Sequence, residues 1–399
     1  QYPMQRTRPK GDPDPGWKRL SWEEALTITA RRLNDIKAKY GPESVVFNRP
    51  GPGGSPASDY NDWLGRLAHA FGSPNVMATG HVCQWHRDTA SSYTYGKGGI
   101  GIPEFEKAAC ILVWGHNPFT SSRARLEAIR KGQANGAKLI VVDPRRTEIA
   151  SKADLWLQVR PGTDGALALS MINVLLAEGI YDRDFTLDWT TAPFLVRQDT
   201  GDFLRPHDLN KAGDGYVVWD NTSQSARVYD PEALAFESTG VEPSLKGGYD
   251  IVTASGQKVS CQTVFERLTQ LAREYSPEKT EDITGVPAAQ IRQASRMLGN
   301  LKPLCYWTYN GIEQHTNATQ TNRALCVLYS LTGNYDAQGG NVIYPRLPTN
   351  QVRGLEFISE EVQRKRLAAA ERPLGPAGNP GSVQGNIVAQ AILTGKPYP

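Results

Sequence analysis

The chain has 399 residues, a formal charge of +3 and 39% hydrophobic residues. At ~150 residues per domain this is too long for one ordinary core. Balanced charge without a long single-sign block argues against a dedicated nucleic-acid binder, and no apolar run approaches the ~20 residues of a membrane helix. Its five cysteines, Cys83, Cys110, Cys261, Cys305 and Cys326, are scattered. They form neither a disulfide scaffold nor a paired metal knuckle, so this chain alone carries no iron–sulfur cluster. The opening "QYPMQRTRPKGDPDPG" has no apolar signal core, and the chain reads as an internal piece of something longer.

The first helix is predicted in "SWEEALTITARRLNDIKAKYGP". Ser21 and Glu24 make a capping box, Leu26, Ala30, Leu33, Ile36 and Tyr40 recur at helical spacing, and Gly41-Pro42 ends it. "SVVFN" reads as a buried strand, and the next helix puts Tyr60, Trp63, Leu64, Leu67 and Phe71 on one face. "TGHVCQWHRDTASSYTYGKGG" then reads as a loop-like segment that gathers Cys83, His81 and His86 in a chain poor in both residue types. From Cys110 apolar strands alternate with helices: "CILVW", a helix over about Arg123 to Gln133, "KLIVV", "LWLQV" and the helix "ALALSMINVLLAEG". That alternation implies an α/β fold with a mainly parallel, Rossmann-like sheet covered on both faces, whose ligands bind at the carboxyl ends of the strands. Residues 190–260 read as an insertion of small antiparallel strands. "LCYWTYN" then opens a second strand–loop–helix unit through "GIEQHTNATQTNRALCVLYSLTGN".

The polar loops after those strands carry the binding chemistry. Gly115 lets backbone approach a ligand closely, Asn117 offers an amide, and Ser121 or Ser122 can cap the following helix. Asp143 can accept from ribose hydroxyls or base N–H groups, Arg145 and Arg146 suit phosphate, and Thr163 and Asp164 stand at a helix start. Taken singly, Thr163 or Asp164 is equally an N-cap and Asp143-Pro144 a turn, but three such loops at one sheet edge favour a nucleotide-like ligand. "GKGGIG" satisfies GxGxxG through Gly96, Gly98 and Gly101, yet Pro103 and the strand at Cys110 leave no room for the helix a nicotinamide site needs. Cys83 admits several readings. A buried small residue is one; a zinc ligand lacks its second pair, and a protease nucleophile lacks an oxyanion hole. A thiolate completing a site otherwise filled by cofactor atoms fits best. The other four cysteines lie in apolar settings and read as core.

The stretches "ILVWGHNP", "LIVVDPRRTEIASKADLWLQVRPGTDGALAL" and "TYNGIEQHTNATQTNRALCVLYSLTGNYDAQGGNV", in that order, resemble the molybdopterin oxidoreductase family of dimethyl sulfoxide reductase type. The 190–260 insertion looks most like the branch that includes acetylene hydratase. The resemblance implies molybdenum or tungsten held between two molybdopterin guanine dinucleotides, with Cys83 as the protein's metal ligand and His86 as a nearby group that moves protons. It implies that Trp114, Gly115, Asn117, Asp143, Arg145, Thr163 and Asp164 line one pterin–guanine nucleotide. Gly311, Gln314, His315 and Asn317 would approach a pterin from the other lobe. From its own surroundings His315 is equally a satisfied loop histidine. It further implies two α/β lobes, residues 1–105 plus 305–399 forming a discontinuous one and 106–304 the other.

A [4Fe–4S] segment, not ligated by this chain, and a closing β-barrel would belong to the complete subunit. Oxygen-atom transfer or two-electron chemistry on a small substrate, with an iron–sulfur electron-transfer subunit as partner, is the expected activity. Neither nucleic-acid binding nor direct membrane insertion is expected, and the compartment, cytoplasmic or periplasmic, stays open. The rivals are a hydratase or hydroxyl transferase with the same cofactor, and a scaffold homologue without metal; the thiol flanked by His81 and His86 speaks against the scaffold.

Overall fold

Chain contacts divide the molecule into two units, one formed by Gln1–Trp85 with Arg346–Pro399 and the other by His86–Pro345. The computed structural model describes residues 2–49, 59–78, 85–96, 99–345, 348, 350, 352–375 and 381–398, and of residues 49, 59–61 and 85 the backbone alone.

In the first unit the helix Trp22–Tyr40 starts on the expected capping box. Ser21 Oγ accepts from the Glu24 amide at 3.1 Å, and the Glu24 carboxylate accepts from the Ser21 amide at 2.7 Å. Strands Phe47–Arg49 and Val76–Ala78 pair in parallel beside the helix Asp59–Phe71. The buried face of that helix lies one step round from expectation. Leu64, Ala68 and Phe71 pack with Phe47 and Val76, while Trp63 and Leu67 are exposed. Asn75 joins the unit's two chain segments, donating to the Glu43 carbonyl at 2.6 Å and accepting from the Leu367 amide at 2.8 Å.

The second unit is built on four parallel strands: β1 (Cys110–Trp114), β2 (Lys138–Val142), β3 (Leu155–Leu157) and β4 (Leu304–Thr308). Their order across the sheet is β4-β1-β2-β3. Chain order therefore reverses between β1 and β4, the arrangement that opens a ligand crevice in a doubly wound sheet. The register is level at the carboxyl edge, with Thr308 beside Trp114, Trp114 beside Val142 and Val142 beside Leu157. Near-continuous apolar runs form these strands because both faces are covered; Ile111, Val113, Leu139, Val141, Leu157 and Cys305 are fully buried. The cover includes α1 (Trp85–Tyr95), α2 (Arg123–Ala134), α3 (Asp164–Glu178) and α4 (Ala318–Ser330). The insertion forms two three-stranded antiparallel sheets over strands spanning residues 195–263.

Two readings need correction. Residues 86–105 and 305–345 group with the second unit and not with the chain ends. The reason is that β4 pairs along its whole length with β1, a contact invisible in local sequence. The segment read as loop-like also contains α1, which runs from Trp85 to Tyr95.

Candidate functional site

At the point of strand reversal the loops after β1 and β4 touch through glycine. Gly311 N donates to the Gly115 carbonyl at 2.9 Å, and a Cβ on Gly311 would stand 2.5 Å from that same oxygen. Gly115 itself has φ 62°, a conformation glycine adopts without strain. Around this contact four buried side-chain atoms have no hydrogen-bond partner among the described residues: His116 Nδ1, Asn117 Oδ1, Trp307 Nε1 and Thr308 Oγ1. Buried polar atoms are nearly always paired, by protein, ordered water or ligand, so four orphans at one strand edge make it the candidate site.

The crevice is cationic. Arg125 lies 4.1 Å over the Trp307 ring, and Arg87, from α1, lies 4.9 Å over the same ring and 5.9 Å from that of Tyr309. Arg87 also donates to Asp88 at 3.1 Å and to the Thr308 carbonyl at 3.3 Å. Burial, then the Arg125 and Arg87 charges, push His116 down to about 4, so the imidazole is neutral at physiological pH. Opposite Arg87 stands Glu313, only 1% exposed, whose two oxygens accept from the Arg87 amide at 3.1 and 3.0 Å. Burial pushes its carboxyl up to about 7 against the lowering effect of the Arg87 amide and guanidinium. Glu313 thereby caps the first turn of α1 from 226 residues away.

The expected residues distribute around this edge unequally. Trp114 is fully buried, and its indole donates to Asp164 Oδ1 at 2.8 Å, fixing a carboxyl that burial pushes up. Asp143 is 8% exposed, is likewise raised by burial, and accepts from the Arg145 amide at 2.8 Å, so it combines a turn with a largely desolvated acceptor. The Thr163 hydroxyl donates to the Arg160 carbonyl at 2.7 Å, and its side chain does not cap α3. Gln314 and Asn317 are exposed, and His315 Nε2 lies 3.0 Å from the Gly311 carbonyl. His86 sits on the first turn of α1 with Nδ1 2.9 Å from Thr319 Oγ1, lowered by burial. Cys83 and His81 lie outside the described residues. Neither Ser121 nor Ser122 caps α2 with its side chain; Ser121 bonds backward to Asn117 and His116. Arg87, His116, Arg125 and Glu313 were not singled out by sequence. The histidine in "WGHNP" and the acid in "GIEQH" were the available signals. Cys110, Cys261, Cys305 and Cys326 are buried, and burial raises every one of these thiols, Cys110 to about 12, as suits core residues.

A family model described as molybdopterin oxidoreductase matches residues 1–373. The chain belongs to the molybdopterin oxidoreductase family. Among relatives it is similar to a dopamine dehydroxylase of Eggerthella lenta, 26% identical over 100% of this chain and 48% of that protein. It is also similar to the perchlorate reductase alpha subunit of Dechloromonas aromatica, 29% identical over 86% of this chain and 39% of that one. The structure of acetylene hydratase from Pelobacter acetylenicus superposes with a TM-score of 0.65 at 23% identity, covering 100% of this chain and 48% of the hydratase, which shows the same fold. The chain thus spans half or less of the length of these relatives. Membership of the molybdopterin oxidoreductase family implies a molybdopterin cofactor carrying molybdenum or tungsten. The crevice fits such a group on its own chemistry: unpaired donors and acceptors for a polar heterocycle, and guanidinium charge for phosphate. Among the described residues no three His, Cys, Asp or Glu side chains converge on a point that could hold a bare metal ion. No helix among them is long and apolar enough to cross a membrane.

Proposed function

We propose that this chain is the central part of a catalytic subunit that binds two molybdopterin guanine dinucleotides and performs oxygen-atom transfer or a two-electron oxidation or reduction on a small substrate. The observation that carries this reading is the level strand edge at the β1–β4 reversal, with its four buried atoms unpaired among the described residues and the Arg125 guanidinium beside them. When bound, the metal–pterin group supplies the electron chemistry. The chain's own residues bind and orient. Asn117, Thr308 and Trp307 hydrogen-bond the ligand, Arg125 and Arg145 answer its phosphates, and Asp143 and Asp164 accept from its ribose or base. Gly311, Gln314, His315 and Asn317 meet a second pterin. Cys83 serves as the metal's protein ligand, and Glu313, by capping α1, fixes the helix that follows it in sequence. His86, neutral and bonded to Thr319, holds or passes a proton at its ring nitrogen. The iron–sulfur cluster and the electron-transfer partner belong to the rest of the assembled enzyme.

Mass spectrometry for metal on the complete native subunit, with guanine nucleotide release from the same sample, tests this reading. Molybdenum or tungsten with about two guanine nucleotides per metal is expected. A Cys83→Ala variant should change the electron paramagnetic resonance signal of the metal. A folded, matured subunit with neither metal nor nucleotide overturns the proposal, and turnover without any electron acceptor moves it to hydration or hydroxyl transfer.

A further inference from the structure

Within that reading, we infer that His116 is a fixed hydrogen-bond acceptor for the cofactor, its Nδ1 receiving an N–H or O–H of the pterin-guanine dinucleotide beside an anionic oxygen held by Arg125. Ser121 Oγ donates to the Asn117 carbonyl at 2.9 Å, and a carbonyl can only accept. A hydroxyl has a single hydrogen, so toward His116 Nε2, 3.1 Å away, Ser121 Oγ can only accept. The hydrogen-bond network therefore assigns the ring proton to Nε2 and leaves Nδ1 as a bare lone pair. His116 is 3% exposed, and that lone pair has no partner among the described residues.

A second protonation does not relieve it. Burial and the guanidiniums of Arg125 and Arg87 all disfavour an imidazolium, and the ring packs against Tyr309 at 5.1 Å between centroids. The acceptor is thus locked in tautomer and charge, so only a donor satisfies it. Beside it Arg125 is half-buried on Trp307, with no carboxylate within ion-pairing distance among the described residues and only a 3.5 Å contact to Ser122 Oγ. A ligand complementary to both groups carries a hydrogen-bond donor next to a negative charge. The pterin's N–H groups and the adjoining phosphate meet that requirement in one molecule, whereas an anion alone would leave Nδ1 unpaired.

The test uses the complete enzyme in wild-type, His116→Phe, Ser121→Ala and doubly substituted forms, and reads the rate at which guanine nucleotide is released from the folded protein. His116→Phe keeps the ring and removes the acceptor, and release about tenfold faster is expected, the worth of one hydrogen bond. Ser121→Ala keeps the imidazole and unlocks its tautomer, giving a smaller acceleration. The double variant should release no faster than His116→Phe, because the serine acts through the histidine. A loaded wild type with unchanged release from His116→Phe overturns the role of His116 alone, as does full additivity in the double variant. A wild type without guanine nucleotide overturns the cofactor reading itself, and the two failures are distinguishable.

Discussion

The insertion between β3 and β4 and the strand edge at β1 and β4 treat buried polar groups in opposite ways. In the insertion Asp220 accepts from the Thr222 and Ser223 amides, the Ser223 hydroxyl and the Glu242 amide, all within 3.2 Å. Arg197 there binds Asp199 and Asp208, each at 2.9 Å. None of the buried unpartnered atoms among the described residues falls between 190 and 263. At the strand edge four of them cluster around two glycines and a pair of guanidiniums. The insertion thus pairs its buried side-chain polar atoms. Among the described residues the edge leaves polar side-chain atoms without partners, the pattern expected of a site built for a ligand and not for shape.

The sharpest way to break this contrast is Gly311→Ala. Its new Cβ would press on the Gly115 carbonyl 2.5 Å away, so the two loops must part. A loss of ~2–3 kcal/mol of stability is expected, with most of the guanine nucleotide lost in the mass-spectrometric assay. Nucleotide content equal to wild type would show that the glycine contact does not shape the crevice.

A finer separation comes from pH. Glu313, raised from 4.5 to about 7, holds a proton in the native state over a range where the unfolded chain has released it. Its contribution to stability is full below pH 4.5 and is lost as pH rises through about 7. His116, lowered from 6.5 to about 4, does the reverse. Its contribution is full above pH 6.5 and is lost as pH falls toward 4. Between pH 4.5 and 6.5 the two oppose each other. Glu313→Gln should therefore make stability rise more steeply with pH in that window, and His116→Gln should make it rise less. Each change approaches one proton, ~1.4 kcal/mol per pH unit, read from denaturant midpoints at pH 5 and 6.5. Equal slopes in both variants would remove these groups from the titration of the fold.

The smallest effect belongs to the insertion. Gly256 has φ 78° with open space around its missing Cβ, so Gly256→Ala should cost ~1 kcal/mol from backbone strain alone. Nucleotide content should stay at the wild-type level; a drop would show that the insertion is coupled to the cofactor crevice.

Much of the second unit is legible in sequence because its signals are local. Runs such as "CILVW" and "KLIVV" are continuous enough to announce doubly covered strands, and the loops after them stand where a parallel sheet presents ligands. What escapes is whatever depends on partners far along the chain. One neighbour of β1 is β4, nearly two hundred residues later, and only that pairing creates the reversal and assigns residues 305–345 to this unit. Helix α1 is hidden for a related reason. Its buried face is Arg87, Ala90 and Ser91, which carries no apolar period, and the carboxylate that bonds its first turn is Glu313, far along the chain. Glu313 and Arg87 each look like ordinary surface charges until burial and a shared hydrogen bond bring them together. His116 shows the same limit, since its tautomer depends on where Ser121 spends its one proton.

The pairing of β4 with β1 also sets a schedule. During synthesis at ~5–20 residues/s, β1 emerges well before Leu304–Thr308, and the insertion is made in between. For some ten seconds or more the sheet has β1, β2 and β3 but no reversal, and the Gly115 loop has no Gly311 to meet. Over that interval the His116 and Asn117 atoms later buried at the crevice lack the strand that covers them. Competence to receive a ligand is therefore acquired late, after the more self-sufficient parts of the unit have been made.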